Sequence, residues 1–139
     1  MVKFTMRYEG GLHCVAKHEP SGTTLATDAP VDNQGKGETF SPTDLVATAL
    51  GTCMLTTMGI LAKRKQWNID GIEMNVAKEM TKSPPRRIER IPVEMAIPTA
   101  VASKLDAQAR AELEQAAHTC PVRISLLPAI EVPIVFRWR

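Results

Sequence analysis

Between Ser41 and Gln66 the chain carries a run that favours helix and is apolar on nearly every face. Leu45, Val46, Ala47, Ala49, Leu50, Cys53, Met54, Leu55, Met58, Ile60 and Leu61 leave no continuous polar stripe. A helix apolar all round has to be buried. Its start is marked by Ser41-Pro42-Thr43-Asp44. Ser41 can accept from free backbone N–H groups, Pro42 suits the first helical position and Asp44 is spaced to close a capping box. At the other end Lys63-Arg64-Lys65 meet the negative end of the helix dipole. Ala47, Thr48, Ala49, Gly51 and Thr52 are small enough to let another backbone approach closely. The spacing therefore predicts a long central helix that the remaining elements must cover.

Those remaining elements are short. From Val2 to Thr27 the turn chemistry of Glu9-Gly10-Gly11 and Pro20-Ser21-Gly22 divides the chain into three predicted strands. Residues 28–40 break all periodicity, which predicts a long loop of the kind that often borders a functional site. Ile72, Met74 and Val76, then Ile91, Val93, Met95 and Ile97, alternate with polar or small residues as two strands of a hairpin. Its tip, TKSPPRRIER, reads either as a solvated end or as a basic patch facing a ligand. Ser103 with Asp106 repeats the capping-box spacing before a helix with Leu105, Ala109, Leu113, Ala116 and Ala117 on one face, ending at His118. Cys120-Pro121 opens a short helical stretch, and Ile130 to Trp138 alternates as a closing strand.

A chain of 139 residues with 44% hydrophobic and 23% charged residues can bury a sufficient core as a single domain over residues 1–139. Disordered and fibrous classes are excluded. The net charge of +2, mixed in sign along the chain, gives no footprint for nucleic acid or anionic lipid, so small molecules or proteins are the expected partners. No apolar run is expected to reach the ~20 residues of a membrane span, and no membrane association is expected. Three well-separated cysteines, Cys14, Cys53 and Cys120, argue for reduced thiols in the cytoplasm.

The chain has no Gly-rich phosphate loop, HExxH, CxxC or GxSxG, which leaves cysteine as the candidate chemistry. Taken alone, each cysteine also suits the role of a small buried hydrophobe. Cys120, at a helix start beside Pro121, faces unpaired N–H donors, which predicts a lowered thiol pKa. Cys53 lies beyond the first helical turn and would need activation from elsewhere. His118 can tune Cys120 or cap the preceding helix, and Cys14 reads as packing. Cys53, His118 and Cys120 lack a second ligand pair at zinc spacing, so no metal is expected.

The stretch GKGETFSPTDLVATALGTCMLTTMGILAKR, followed by AAHTCPVRISL and a terminal IEVPIVFRW, resembles the OsmC/Ohr family of osmotically inducible and organic hydroperoxide resistance proteins. The resemblance spans essentially the whole chain. It rests on Pro42 near the helix start, Cys53 eleven residues later and Cys120-Pro121 at a later helix start. It implies an α+β fold, with curved antiparallel sheets around a long central helix in an intertwined homodimer. The implied activity is a cofactor-free thiol peroxidase acting on hydroperoxides, with Cys53 as attacking thiol, Cys120 as resolving thiol and a dithiol as reductant. In the organic hydroperoxide branch an Arg and a Glu hold the attacking thiolate. Here Thr43 occupies the Glu position and no Arg stands in the Gly10-Gly11-Leu12 turn. Arg7, Lys36, Glu38 and Asp44 are the substitutes, and Leu50, Met54 and Leu126 are candidates to line the site. The rival reading is a dimeric binding or scaffold protein with a thiol-lined pocket and little turnover.

Overall fold

The computed structural model describes all 139 residues and begins its long helix, α1 (Pro42–Lys65), at the predicted capping box. Asp44 N–H donates to Ser41 Oγ at 3.1 Å, and Ser41 N–H donates to Asp44 Oδ2 at 2.9 Å. Two of the donors that a helix start leaves open are thereby satisfied reciprocally.

Burial along α1 follows a single stripe: Ala47, Leu50, Gly51, Met54, Met58 and Ala62. Their three- and four-residue spacing marks one helix face. Thr48, Thr52 and Thr56 are exposed, as is Ile60. The Thr52 hydroxyl donates to Thr48 O at 2.9 Å and that of Thr56 to Thr52 O at 2.8 Å. Within one chain the all-round burial expected from composition is therefore not met. Hydropathy treats these threonines as nearly neutral because each can satisfy its hydroxyl on its own helix. The same composition gives α1 the length and mean hydropathy, 1.8 over its most apolar window, that suffice to cross a membrane. This corrects the expectation that no segment approaches that length. A third of that window is buried within the chain.

The chain forms two compact units, residues 1–46 and 47–139. In the first, β1 (Phe4–Gly10), β2 (His13–His18) and β3 (Thr24–Asp28) form an antiparallel sheet in that order. These are the three predicted strands. Gly11 and Leu12, both at φ 60°, make the β1–β2 turn after Gly10 at φ 86°; the glycines take these angles without strain, and Leu12 takes them with a Cβ. Residues 28–40 form the predicted loop, with one 3-10 turn at Val31–Asn33. Asp28, only 3% exposed, anchors it: its Oδ1 lies 2.5 Å from His13 Nδ1, and its Oδ2 accepts from Glu38 N–H at 3.1 Å. The hydrogen bond from His13 holds the Asp28 carboxyl below its ordinary range.

In the second unit β4 (Glu73–Val76), β7 (Val93–Ile97) and β8 (Ile134–Trp138) form a sheet in the order β4-β7-β8. β4 pairs antiparallel with β7, as the hairpin reading requires, and β8 lies parallel to β7 with Val93 opposite Ile134. The hairpin's far end is the small pair β5 (Glu79–Met80) and β6 (Ile88–Arg90). β8 begins only at Ile134, after Pro133, which has no N–H for a ladder. Three helices follow β7: α2 (Thr99–Ala102), α3 (Ala107–His118) and α4 (Pro121–Ser125). The capping role expected of Ser103 falls instead to Asp106, whose side chain accepts from Ala109 N–H at 2.8 Å. Ser103 closes α2, which the sequence reading did not separate.

The core of this unit includes Met54, Met58, Ile91, Met95, Ile97 and Leu113, all wholly buried. α1 packs closely on β4 at Gly51, where a Cβ would lie 2.9 Å from both Met74 Sδ and Val76 Cγ2. Replacing a helical Gly by Ala gains about 1 kcal/mol of propensity, while overpacking a core costs about 1–3 kcal/mol. Gly51→Ala is therefore expected to lower stability by about 1 kcal/mol in denaturant titration. A gain in stability would contradict this packing.

Candidate functional site

Cys53 sits mid-way along α1 and is half-buried, while Cys120 is wholly buried. Both are free thiols, and they lie close enough for Cys53 to shift the ionisation of Cys120. Two residues far apart in sequence are thus in reach of one another, as a dithiol pair requires. The Thr57 hydroxyl donates to Cys53 O at 2.8 Å, satisfying that carbonyl a second time within the helix.

Cys120 is placed by local backbone chemistry. It is the N-cap of α4, with extended backbone angles and Pro121 at the first helical position. Its Sγ accepts from Arg123 N–H at 3.4 Å. A thiol here takes the place usually held by Ser, Thr or Asp. The Arg123 guanidinium donates through Nη2 to Ile130 O at 3.3 Å, tying this turn to the segment that leads into β8. The Ser125 hydroxyl closes back on Pro121 O at 2.8 Å.

The expected lowering of the Cys120 pKa is not found: its thiol is pushed up. Burial is the largest cause, because a thiolate would lose its hydration. The Arg123 and Val122 N–H groups act in the opposite direction but do not prevail, and negative charge at Cys53 adds to the upward push. Donors at a helix start lower a thiol pKa where the thiolate keeps its hydration, and complete burial removes that hydration.

The other candidates have different surroundings. Leu50 and Met54 belong to the wholly buried stripe of α1, and Leu126 is half-buried at the end of α4. His118, the exposed last residue of α3, lies with its ring 6.0 Å from Phe136. Cys14 lies in β2, opposite Tyr8 and Thr27. Arg7, Lys36, Glu38 and Asp44 belong to the first unit. There Arg7 pairs with Glu9 at 2.9 Å, and Lys36 and Glu38 are exposed on the loop. Asp44 serves the capping box. Arg123 was not singled out from sequence. Its only signal was its place three residues after an N-cap, where a backbone N–H turns toward the cap side chain. No cluster of three or more His, Cys, Asp or Glu side chains is arranged to hold a metal ion.

Comparison with known proteins places this arrangement. The family model of OsmC-like proteins matches residues 35–135. A protein from Psychrobacter arcticus, described as belonging to the osmotic stress induced and detoxification response, is 39% identical and superposes with a TM-score of 0.89. The match covers 99% of this chain and 96% of that one. The organic hydroperoxide resistance protein OsmC of Legionella pneumophila shares 15% identity at a TM-score of 0.76, covering 99% and 96% of the two chains. That of Elizabethkingia anophelis shares 15% at 0.75, covering 100% and 96%. At those identities the last two show a shared fold. No curated protein sequence matches.

The raised Cys120 pKa has a consequence for stability. The unfolded chain ionises this thiol first, so above the ordinary value of 9.0 the folded state binds more protons than the unfolded one. The contribution is fully present below that value and declines as pH rises through it. Denaturant midpoints measured at pH 8 and pH 10 are expected to fall more for the wild-type protein than for Cys120→Ala. Equal falls would contradict the burial argument.

Proposed function

The chain belongs to the family of OsmC-like proteins, and from that premise we propose that it is a thiol peroxidase reducing hydroperoxides, organic ones by preference, through a Cys53 and Cys120 dithiol cycle. The observation that carries this reading is the closeness of two free thiols, one half-buried and one wholly buried, that influence each other's ionisation. The names of the Legionella and Elizabethkingia relatives support hydroperoxide as the substrate class.

The Cys53 thiolate attacks one oxygen of ROOH. The O–O bond breaks, ROH leaves after taking up a proton, and Cys53 becomes a sulfenic acid. The Cys120 sulfur then attacks the sulfenic sulfur. Its proton goes to the departing hydroxide, so water leaves and a Cys53–Cys120 disulfide forms. A dithiol reductant restores both thiols and is itself oxidised to a disulfide. The burial that keeps Cys120 protonated suits a reserve thiol that does not compete with Cys53 for peroxide. No cofactor is needed. The free thiols suit a reducing compartment such as the cytoplasm.

We also assign the protein a homodimeric state. Phe4, Met6 and Tyr8 share one face of β1 and are 58%, 71% and 63% exposed, and Leu25 lies on the same face of the sheet across Ala16 of β2. An apolar face of that kind calls for cover. Sedimentation at micromolar concentration is expected to give a dimer mass, and a folded monomer would contradict the assignment.

A non-catalytic binding protein is favoured by one observation: Thr43 stands at the family's Glu position, and the neighbouring Asp44 is engaged in the helix cap. Consumption of cumene hydroperoxide with dithiothreitol separates the readings. Wild-type protein is expected to turn over, and Cys53→Ser is expected to lose activity by on the order of a thousandfold. Absence of turnover in the wild-type protein would transfer the assignment to the binding protein.

A further inference from the structure

The dithiol pair is unequal in its access to solvent, and that inequality bears on how the oxidised protein is reduced. We propose that the reductant attacks the sulfur of Cys53, with Cys120 as the leaving group, so that peroxide and reductant meet the same atom from the same side. This rests on the dithiol cycle proposed above and adds the direction of its closing half.

Displacement at a disulfide runs in line: the incoming thiolate approaches along the S–S axis, behind the sulfur it attacks. Which sulfur it attacks is governed by access and by the leaving group. Reaching Cys120 would require approach behind a residue with no exposed surface. Reaching Cys53 requires approach behind a residue that is half-open.

On the leaving side burial opposes the departing thiolate and a backbone donor offsets part of that cost, so access is what sets the direction. Cys120 departs into the N-cap position of α4, where Arg123 N–H donates to its sulfur at 3.4 Å. This donor is fixed by the backbone and meets the charge as it forms. Arg123 holds the same turn to Ile130 O at 3.3 Å, so the donor stays in place as the bond breaks.

The step balances. The thiolate RS⁻ forms an R–S–S bond to Cys53 while the Cys53–Cys120 bond breaks, and Cys120 leaves as thiolate and takes a proton from solvent. A second thiol of the reductant then attacks the mixed disulfide at the R sulfur and releases Cys53. The protein pair gains two electrons and the reductant loses two. Because the first adduct sits on Cys53, the entrance that admits peroxide must also admit the reductant.

The test uses the full chain in a Cys14→Ser background, which leaves two cysteines to map. Diamide, rather than peroxide, forms the Cys53–Cys120 disulfide, so the result does not depend on peroxidase turnover. A brief pulse of limiting N-acetylcysteine, a monothiol that cannot complete the second step, is then quenched with acid and the adduct is mapped by peptide mass spectrometry. The adduct is expected on Cys53 over Cys120 by at least about tenfold, with Cys120 recovered as free thiol. An adduct on Cys120, equal labelling of the two, or failure of diamide to join them would overturn the proposal. A Cys53 adduct together with no hydroperoxide consumption would sustain the direction of reduction while removing the peroxidase reading.

Discussion

The contact between the Cys53 and Cys120 side chains is the interaction on which the functional account depends, and the second unit is arranged so that it can form. Cys53 rides on α1, whose position over the sheet is set by Gly51, the residue that lets the helix backbone approach Met74 and Val76. Cys120 caps the N-terminus of a five-residue helix whose middle residue, Arg123, is bonded to Ile130. Neither anchor lies on a flexible tip. Two thiols on elements fixed by core packing and backbone hydrogen bonds keep their separation without a covalent link.

The same pair divides its roles through environment. Both residues have the same chemistry, yet one is half-open and the other is sealed, and burial keeps the sealed thiol protonated against two backbone donors. A low pKa alone does not make the better attacking group, because nucleophilicity falls with pKa. Access and the alignment of the O–O bond decide which sulfur reacts first. The N–H donors at Cys120 act where they matter more, on the charge that appears when its disulfide bond breaks.

Legibility in the sequence followed the range of the interactions involved. The capping box at Ser41 and Asp44, the three first strands, the hairpin and the helix start at Cys120 are local features, and each was readable from neighbouring residues. The helix start assigned to Ser103 belonged to Asp106, because Thr99–Ala102 makes a turn of its own that a spacing rule cannot separate. The Cys120 pKa runs opposite to the local expectation because its burial comes from the folded surroundings, Cys53 on α1 among them, which adjacent residues do not encode. The exposed line of Thr48, Thr52 and Thr56 on α1 and the open face of β1 escaped notice for a related reason. Composition reports how apolar a segment is, and only the fold shows which side of it remains uncovered.

The most direct test of the account is the site of first oxidation. Cys120→Ser and Cys53→Ser proteins, each given one equivalent of cumene hydroperoxide, can be trapped with dimedone and mapped by mass spectrometry. The account predicts a sulfenic acid adduct on Cys53 in the Cys120→Ser protein, passing to sulfinic acid when trapping is delayed because no second thiol resolves it. It predicts no comparable adduct in the Cys53→Ser protein. Sulfenic acid on Cys120 in the Cys53→Ser protein, formed as fast as the wild-type protein consumes peroxide, would contradict it.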